Sequence, residues 1–139
     1  MTKILINCSH CEQSLIRWPL DDCREDNGCL WVIPGSHKIG VKQRFKRKKN
    51  LEDGGVEFDP VQVDSLDTNG AIPVKIKKGT LVVLHNAVVH YSNENTSEYS
   101  RHAYSIHVVD GKKGITYPAD NWLQRPEGYP FREILKRAD

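Results

Sequence analysis

Between residues 88 and 107 the chain reads VVHYSNENTSEYSRHAYSIH, with three histidines and one arginine set around a polar middle. His90 and Arg101 stand on either side of that middle, where a hairpin turn would bring both to the same end of a sheet. A neutral imidazole can ligate a metal through one ring nitrogen. A guanidinium offers a rigid, permanently charged fork that grips a carboxylate with two hydrogen bonds. A metal ligand and a carboxylate clamp at one mouth of a β-roll suit a small dicarboxylate that chelates the metal. Non-haem iron oxygenases work this way, with ferrous iron held by two histidines and one carboxylate. The competing reading is plain: a histidine in a strand is more often a hydrogen-bonded structural residue than a ligand.

Two other groups could carry chemistry. Four cysteines occur, at positions 8, 11, 23 and 29. Cys8-x-x-Cys11 has the spacing of half a zinc site, but Cys23 and Cys29 do not form the second half, so free thiols are expected. Residues 42–49, KQRFKRKK, form a basic run that could meet phosphate. It has one aromatic residue and no glycine cradle, so a solvated loop is the better expectation, and a nucleic-acid partner is not.

Strands are needed to position these groups. Leu15 to Leu20 and Cys29 to Ile33 read as two strands joined across Asn27-Gly28, whose residues accept the positive φ of a tight turn. The pair is expected to be a hairpin, stopped by Pro34-Gly35. Residues 50–70 read as a long loop with one short strand. Ile72 to Ile76 reads as a strand, followed by a turn at Lys77-Lys78-Gly79. Thr80 to Leu84 is β-branched or leucine throughout and suggests a strand buried on both faces, continued by Val88 to Tyr91. His102 to Val109 alternates, with Ala103, Ser105 and His107 on one side and Tyr104, Ile106 and Val108 on the other. A short helix is expected near Arg132 to Lys136. Short strands joined by Gly and Asn turns indicate an antiparallel β sandwich or barrel.

The chain's 139 residues suit a single domain, and a formal charge of +2 gives no reason to expect a nucleic-acid or membrane surface. No apolar run is long enough to span a bilayer, and residues 1–13 lack the apolar core of a signal peptide. A cytoplasmic location is the resulting expectation.

Three stretches, DNGCLWVIPGSH (26–37), KKGTLVVLHNAVVHYSNENTSEYSRHAYSIH (77–107) and NWLQ (121–124), resemble the phytanoyl-CoA dioxygenase family. The resemblance runs from about Leu20 to Phe131 and thins in the basic run. It implies a mainly β double-stranded β-helix, the jelly-roll, and an enzyme using iron(II) with 2-oxoglutarate as cosubstrate on a small-molecule or acyl-CoA-like substrate. By position, His90 matches the family's distal iron-binding histidine, and Arg101 the arginine that pairs with the far carboxylate of 2-oxoglutarate. His85, His102 and His107 do not match ligand positions, and His37 is expected to hold a turn or line the cavity edge.

The family also places a His-x-Asp pair on an upstream strand, which this chain starts too late to contain. His10 and Glu12 have acceptable ligand chemistry but lie too near the Asn27-Gly28 turn. The expectation is therefore a divergent segment over 1–14, the C-terminal part of the family's roll over 15–131, and a tail over 132–139. Six or seven strands are anticipated where a jelly-roll has eight. Two outcomes stay open: a dioxygenase in truncated form, or an inactive remnant.

Overall fold

A computed structural model describes residues 13–40, 44–48, 55–59, 67–111 and 116–134. Among them are eight strands: β1 (Gln13–Pro19), β2 (Leu30–Val32), β3 (Arg44–Arg47), β4 (Val56–Asp59), β5 (Ile72–Pro73), β6 (Val82–His85), β7 (His90–Ser92) and β8 (Ala103–Val109). Two three-stranded antiparallel sheets, ordered β6-β1-β8 and β5-β2-β7, make the roll, and β3 pairs with β4 as a separate ribbon. The fold is the mainly β jelly-roll expected from the sequence.

Strand β1 is the centre of the first sheet. Alternation turns Leu15, Arg17 and Pro19 to one face and Ile16 and Trp18 to the other. Leu15 is 4% exposed and sits between Leu84 and His107. Pro19 has no N–H to give a ladder, so it closes the strand. Its carbonyl accepts from Gly79 N at 2.8 Å, and Leu20 N donates to the His102 carbonyl at 2.8 Å.

The second sheet has much shorter strands. Leu30, Val32, His90 and Ser92 share one face, while Trp31 stacks on Tyr91 on the other, ring centroids 6.1 Å apart. Residues beyond the strand ends extend it: Ile33 N donates to Val89 O, and Val74 N to Leu30 O. The Ser36 hydroxyl, buried in the 3-10 turn Ser36–Ile39, accepts from Val89 N at 2.8 Å.

Four expectations change. Strands β1 and β2 are not a hairpin, because each takes partners from the second half of the chain and they lie in different sheets. Residues 44–47 of the basic run are a strand, not a loop; Lys46 is neutralised by Asp59 at 2.9 Å, and Arg47 N donates to Asp120 O. Strand β6 is not buried on both faces, since Val83 is 57% exposed. It also ends in a turn at Asn86-Ala87, after which β7 crosses to the other sheet. Residues 132–134 show no helical turn, and the rest of that expected helix lies outside the described residues.

Asn27-Gly28 does form a turn, at the end of a segment rather than between paired strands. Gly28 has φ 77°, and a Cβ there would lie 2.9 Å from the Asn93 carbonyl oxygen, so only glycine fits against that backbone.

Candidate cosubstrate cleft

A cleft between the two sheets encloses about 320 Å³, its open mouth included. Arg17, Val82 and Ala103 face it from the first sheet, Leu30 from the second, and Arg101 from the segment leading into β8. His90 and Ser92 stand two apart on β7 and so point the same way, inward with Leu30. Arg101 Nη2 donates to Ser92 Oγ at 3.4 Å. The structure thus brings Arg101 beside the hydroxyl that shares His90's face, although His90 is not among the residues lining the cleft itself.

His90 is 5% exposed, and its Nδ1 lies 2.8 Å from the Val88 carbonyl. That carbonyl can only accept, so Nδ1 carries the proton and Nε2 keeps its lone pair, the arrangement a ligating histidine needs. Burial holds the imidazole below its ordinary pKa against the opposing pull of the Val88 carbonyl, and the Arg17 charge adds to the lowering. His107 is lowered first by burial, then by His90 and Arg17, and packs edge-on against Trp122 at 5.0 Å.

Arg101 is held from both sides. The Asp21 carboxylate accepts from Ser100 Oγ (2.9 Å), from His102 N (2.8 Å), and lies 2.9 Å from His102 Nδ1. Asn27, 2% exposed, donates through Nδ2 to the carbonyls of Asp22 and Ser100 and accepts from Arg24 N. These bonds fix residues 100 and 102 and leave the side chain between them aimed into the cleft. They also drive the Asp21 carboxyl below its usual range, chiefly through the His102 backbone N–H and the Ser100 hydroxyl.

The remaining histidines take structural parts. His102 pairs with Asp21. His85 Nδ1 accepts from Ala87 N, and its ring lies 5.1 Å from that of His37, which sits in the turn after β2. Cys23 and Cys29 are buried free thiols; burial raises both pKa values. Cys8, His10, Cys11 and Glu12 lie outside the described residues. Among the described residues no three His, Cys, Asp or Glu side chains are grouped to hold a metal ion, so they offer iron one suitable imidazole and not a ligand set.

Three residues in or beside the cleft have no role assigned from sequence alone. Ser92 was legible as His90-x-Ser92 on a strand. Asp21 gave no local sign, because its partners are some eighty residues away. Arg17 stood out as a charge at an inward position of an apolar strand, a pattern that marks a site more often than a core.

The fold and site define a jelly-roll with two arginines, Arg17 and Arg101, in its cleft and a buried histidine on β7 beside it. The sequence matches phytanoyl-CoA dioxygenase (PhyH) over residues 8–103, and the chain belongs to that family. It is 38% identical over 119 residues to the phytanoyl-CoA dioxygenase domain-containing protein 1 homolog of Dictyostelium discoideum, covering 86% of this chain and 42% of the relative. It is 43% identical over 106 residues to the phytanoyl-CoA dioxygenase of Arabidopsis thaliana, covering 76% of this chain and 35% of the relative. The chain therefore spans about two fifths of the length of these curated relatives. Among solved structures, EvdO2 from Micromonospora carbonacea var. aurantiaca, complexed with 2-oxoglutarate, shares the fold. Its TM-score is 0.55 at 23% identity, over 84% of this chain and 43% of that one.

Proposed function

We propose that this chain forms the cosubstrate-clamping part of an iron(II)- and 2-oxoglutarate-dependent dioxygenase. The observation that carries the reading is the Arg101–Ser92 bond on the face that also presents His90. In this reading Arg101 and the Ser92 hydroxyl hold the far carboxylate of 2-oxoglutarate, and His90 offers Nε2 to iron(II). Bound iron would supply oxygen activation for hydroxylating a small-molecule or acyl-CoA-like substrate, a class suggested by the relatives' names. The roll is assigned to residues 15–131. The other ligands are sought outside the described residues, where His10 and Glu12 lie two apart. The buried free thiols suit the reducing cytoplasm proposed as its location.

A second reading is favoured by the lack of any three-residue metal-ligand group among the described residues: an inactive remnant that keeps the roll. Isothermal titration of manganese(II), a ferrous surrogate, together with 2-oxoglutarate separates the two. Micromolar binding abolished by His90→Ala supports the dioxygenase site, and absence of any binding supports the remnant.

A further inference from the structure

Two guanidiniums face the same cleft. Arg17 points inward from the centre of β1, paired across to Val82 on one side and Ser105 on the other, and both it and Arg101 line the cavity. Among the described residues no carboxylate lies within ion-pair distance of either. Arg101 Nε is buried and has no hydrogen-bond partner among the described residues. A buried donor left unsatisfied is costly, and two like charges facing one cavity repel; an anion between them would answer both.

The Arg101 charge bears directly on Arg17. Burial lowers its pKa first, and Arg101 lowers it further. An oxyanion between the two forks would offset the Arg101 repulsion and replace hydration lost on burial with charge-assisted hydrogen bonds. A carboxylate has lone pairs enough to accept from two guanidiniums at once, one on each edge. The rest of the wall, Leu30, Val74, Val82 and Ala103, is apolar and suits a short methylene chain rather than a bare inorganic ion.

We propose that Arg17 is a second anion-binding residue of this cleft, sharing with Arg101 the terminal carboxylate of a short aliphatic acid. The inference deepens the cosubstrate reading and rests on it for the identity of the acid. It adds a residue at which this cleft would hold the carboxylate with two cations in place of one.

The test uses glutarate, which has the two carboxylates and the chain but no keto group to chelate a metal, so iron plays no part. Glutarate is titrated calorimetrically into the metal-free wild-type chain and into Arg17→Gln, Arg17→Lys and Arg101→Gln. Each Gln variant is expected to bind about 10- to 100-fold more weakly, the loss typical of a charge-assisted hydrogen bond. Arg17→Lys is expected to retain most of the affinity. Without ligand, Arg17→Gln should melt no lower than wild type, because it removes a repulsion; a merely structural arginine would lower the melting temperature. Should Arg17→Gln fail to fold, Arg17→Met keeps the unbranched stem and carries the same comparison.

Undiminished glutarate affinity in the Arg17 variants, with loss in Arg101→Gln, overturns this inference and leaves the Arg101 clamp standing. Phosphate binding as tightly as glutarate overturns the assignment to a short aliphatic acid. Failure of wild type to bind glutarate at about 10 mM, while 2-oxoglutarate with manganese(II) still binds, sinks the two-arginine cleft alone. Failure of both sinks the cosubstrate reading with it.

Discussion

The two sheets that wall the cleft reach order by different means. The first has a seven-residue strand, β1, paired along its whole length with β8 and over four residues with β6. It is held by the ladder and by Leu15 beneath it. Its outer face leaves Val83, Tyr104 and Ile106 in contact with solvent. The second sheet has strands of two or three residues that would be marginal alone. Side chains that bond backbone, such as Ser36 on Val89 N, supply what its ladder lacks, while the clamp formed by Asp21 and Asn27 lies at the end of the first sheet, on residues 100 and 102 ahead of β8. In the first sheet long pairing carries packing, and the polar clamp at its end positions Arg101.

The largest effect expected from this contrast lies in the first sheet. Leu15→Ala should cost about 2–5 kcal/mol in urea unfolding, the usual price of emptying a core leucine site. Glutarate affinity of the folded fraction should barely move. A change in affinity as large as the change in stability would show that core packing and the polar clamp are not separable.

Asn27→Ala tests the polar clamp. Removing a buried amide that bonds two carbonyls and one N–H should cost about 1–3 kcal/mol. Because it frees residue 100, it should also weaken anion binding, which Leu15→Ala does not. Calorimetric titration beside urea melts of both variants reads the difference directly.

A third test uses pH. His90 and His107 have folded pKa values below their unfolded ones, so the unfolded chain takes up protons first as pH falls. Stability should be full above the unfolded value near 6.5 and decline as pH drops through it and on towards the folded values. Asp21 is also depressed, so its contribution is present above about pH 4 and lost below. Urea midpoints from pH 7.5 to 4.5 should fall, and fall less steeply in His90→Gln. An identical slope in that variant would assign the decline elsewhere.

The smallest effect concerns the outer face. Val83→Thr, at a site 57% exposed, should shift stability by less than about 0.5 kcal/mol. Lys77→Ala, which breaks an exposed pair with Asp22, should leave the urea midpoint unchanged. A cost of about 2 kcal/mol at Val83 would mean that this face is covered in solution.

Much of this arrangement was legible in the sequence, and what was not has physical causes. Strand β8 and its sidedness followed from clean alternation, which also turns Tyr104 outward onto Trp18 at 6.2 Å. His90 and Arg101 were singled out by residue type and family pattern, and the structure places one inward on β7 and the other at the cleft. The β1–β2 hairpin failed because Asn27-Gly28 dictates a reversal of the chain but not the strands paired beyond it. Strand β6 was misread because a run of β-branched residues does not reveal which of its faces is covered. Strand β3 was hidden by its charges, although a two-stranded ribbon tolerates lysine and arginine on its open side. Arg17 was visible only as a departure from pattern, since sequence shows a charge but not what it faces.

The placement of β1 has a consequence for how the molecule comes together. Its partners lie between 65 and 96 residues further along, from Arg17 with Val82 to Gln13 with Val109. Closing loops of that length before any contact rewards them slows assembly. On the ribosome the first strand would emerge long before its neighbours and wait with its ladder unfilled until β8 had been synthesised. A chaperone that shields this segment during translation would therefore be expected to raise the soluble yield more than one added after release.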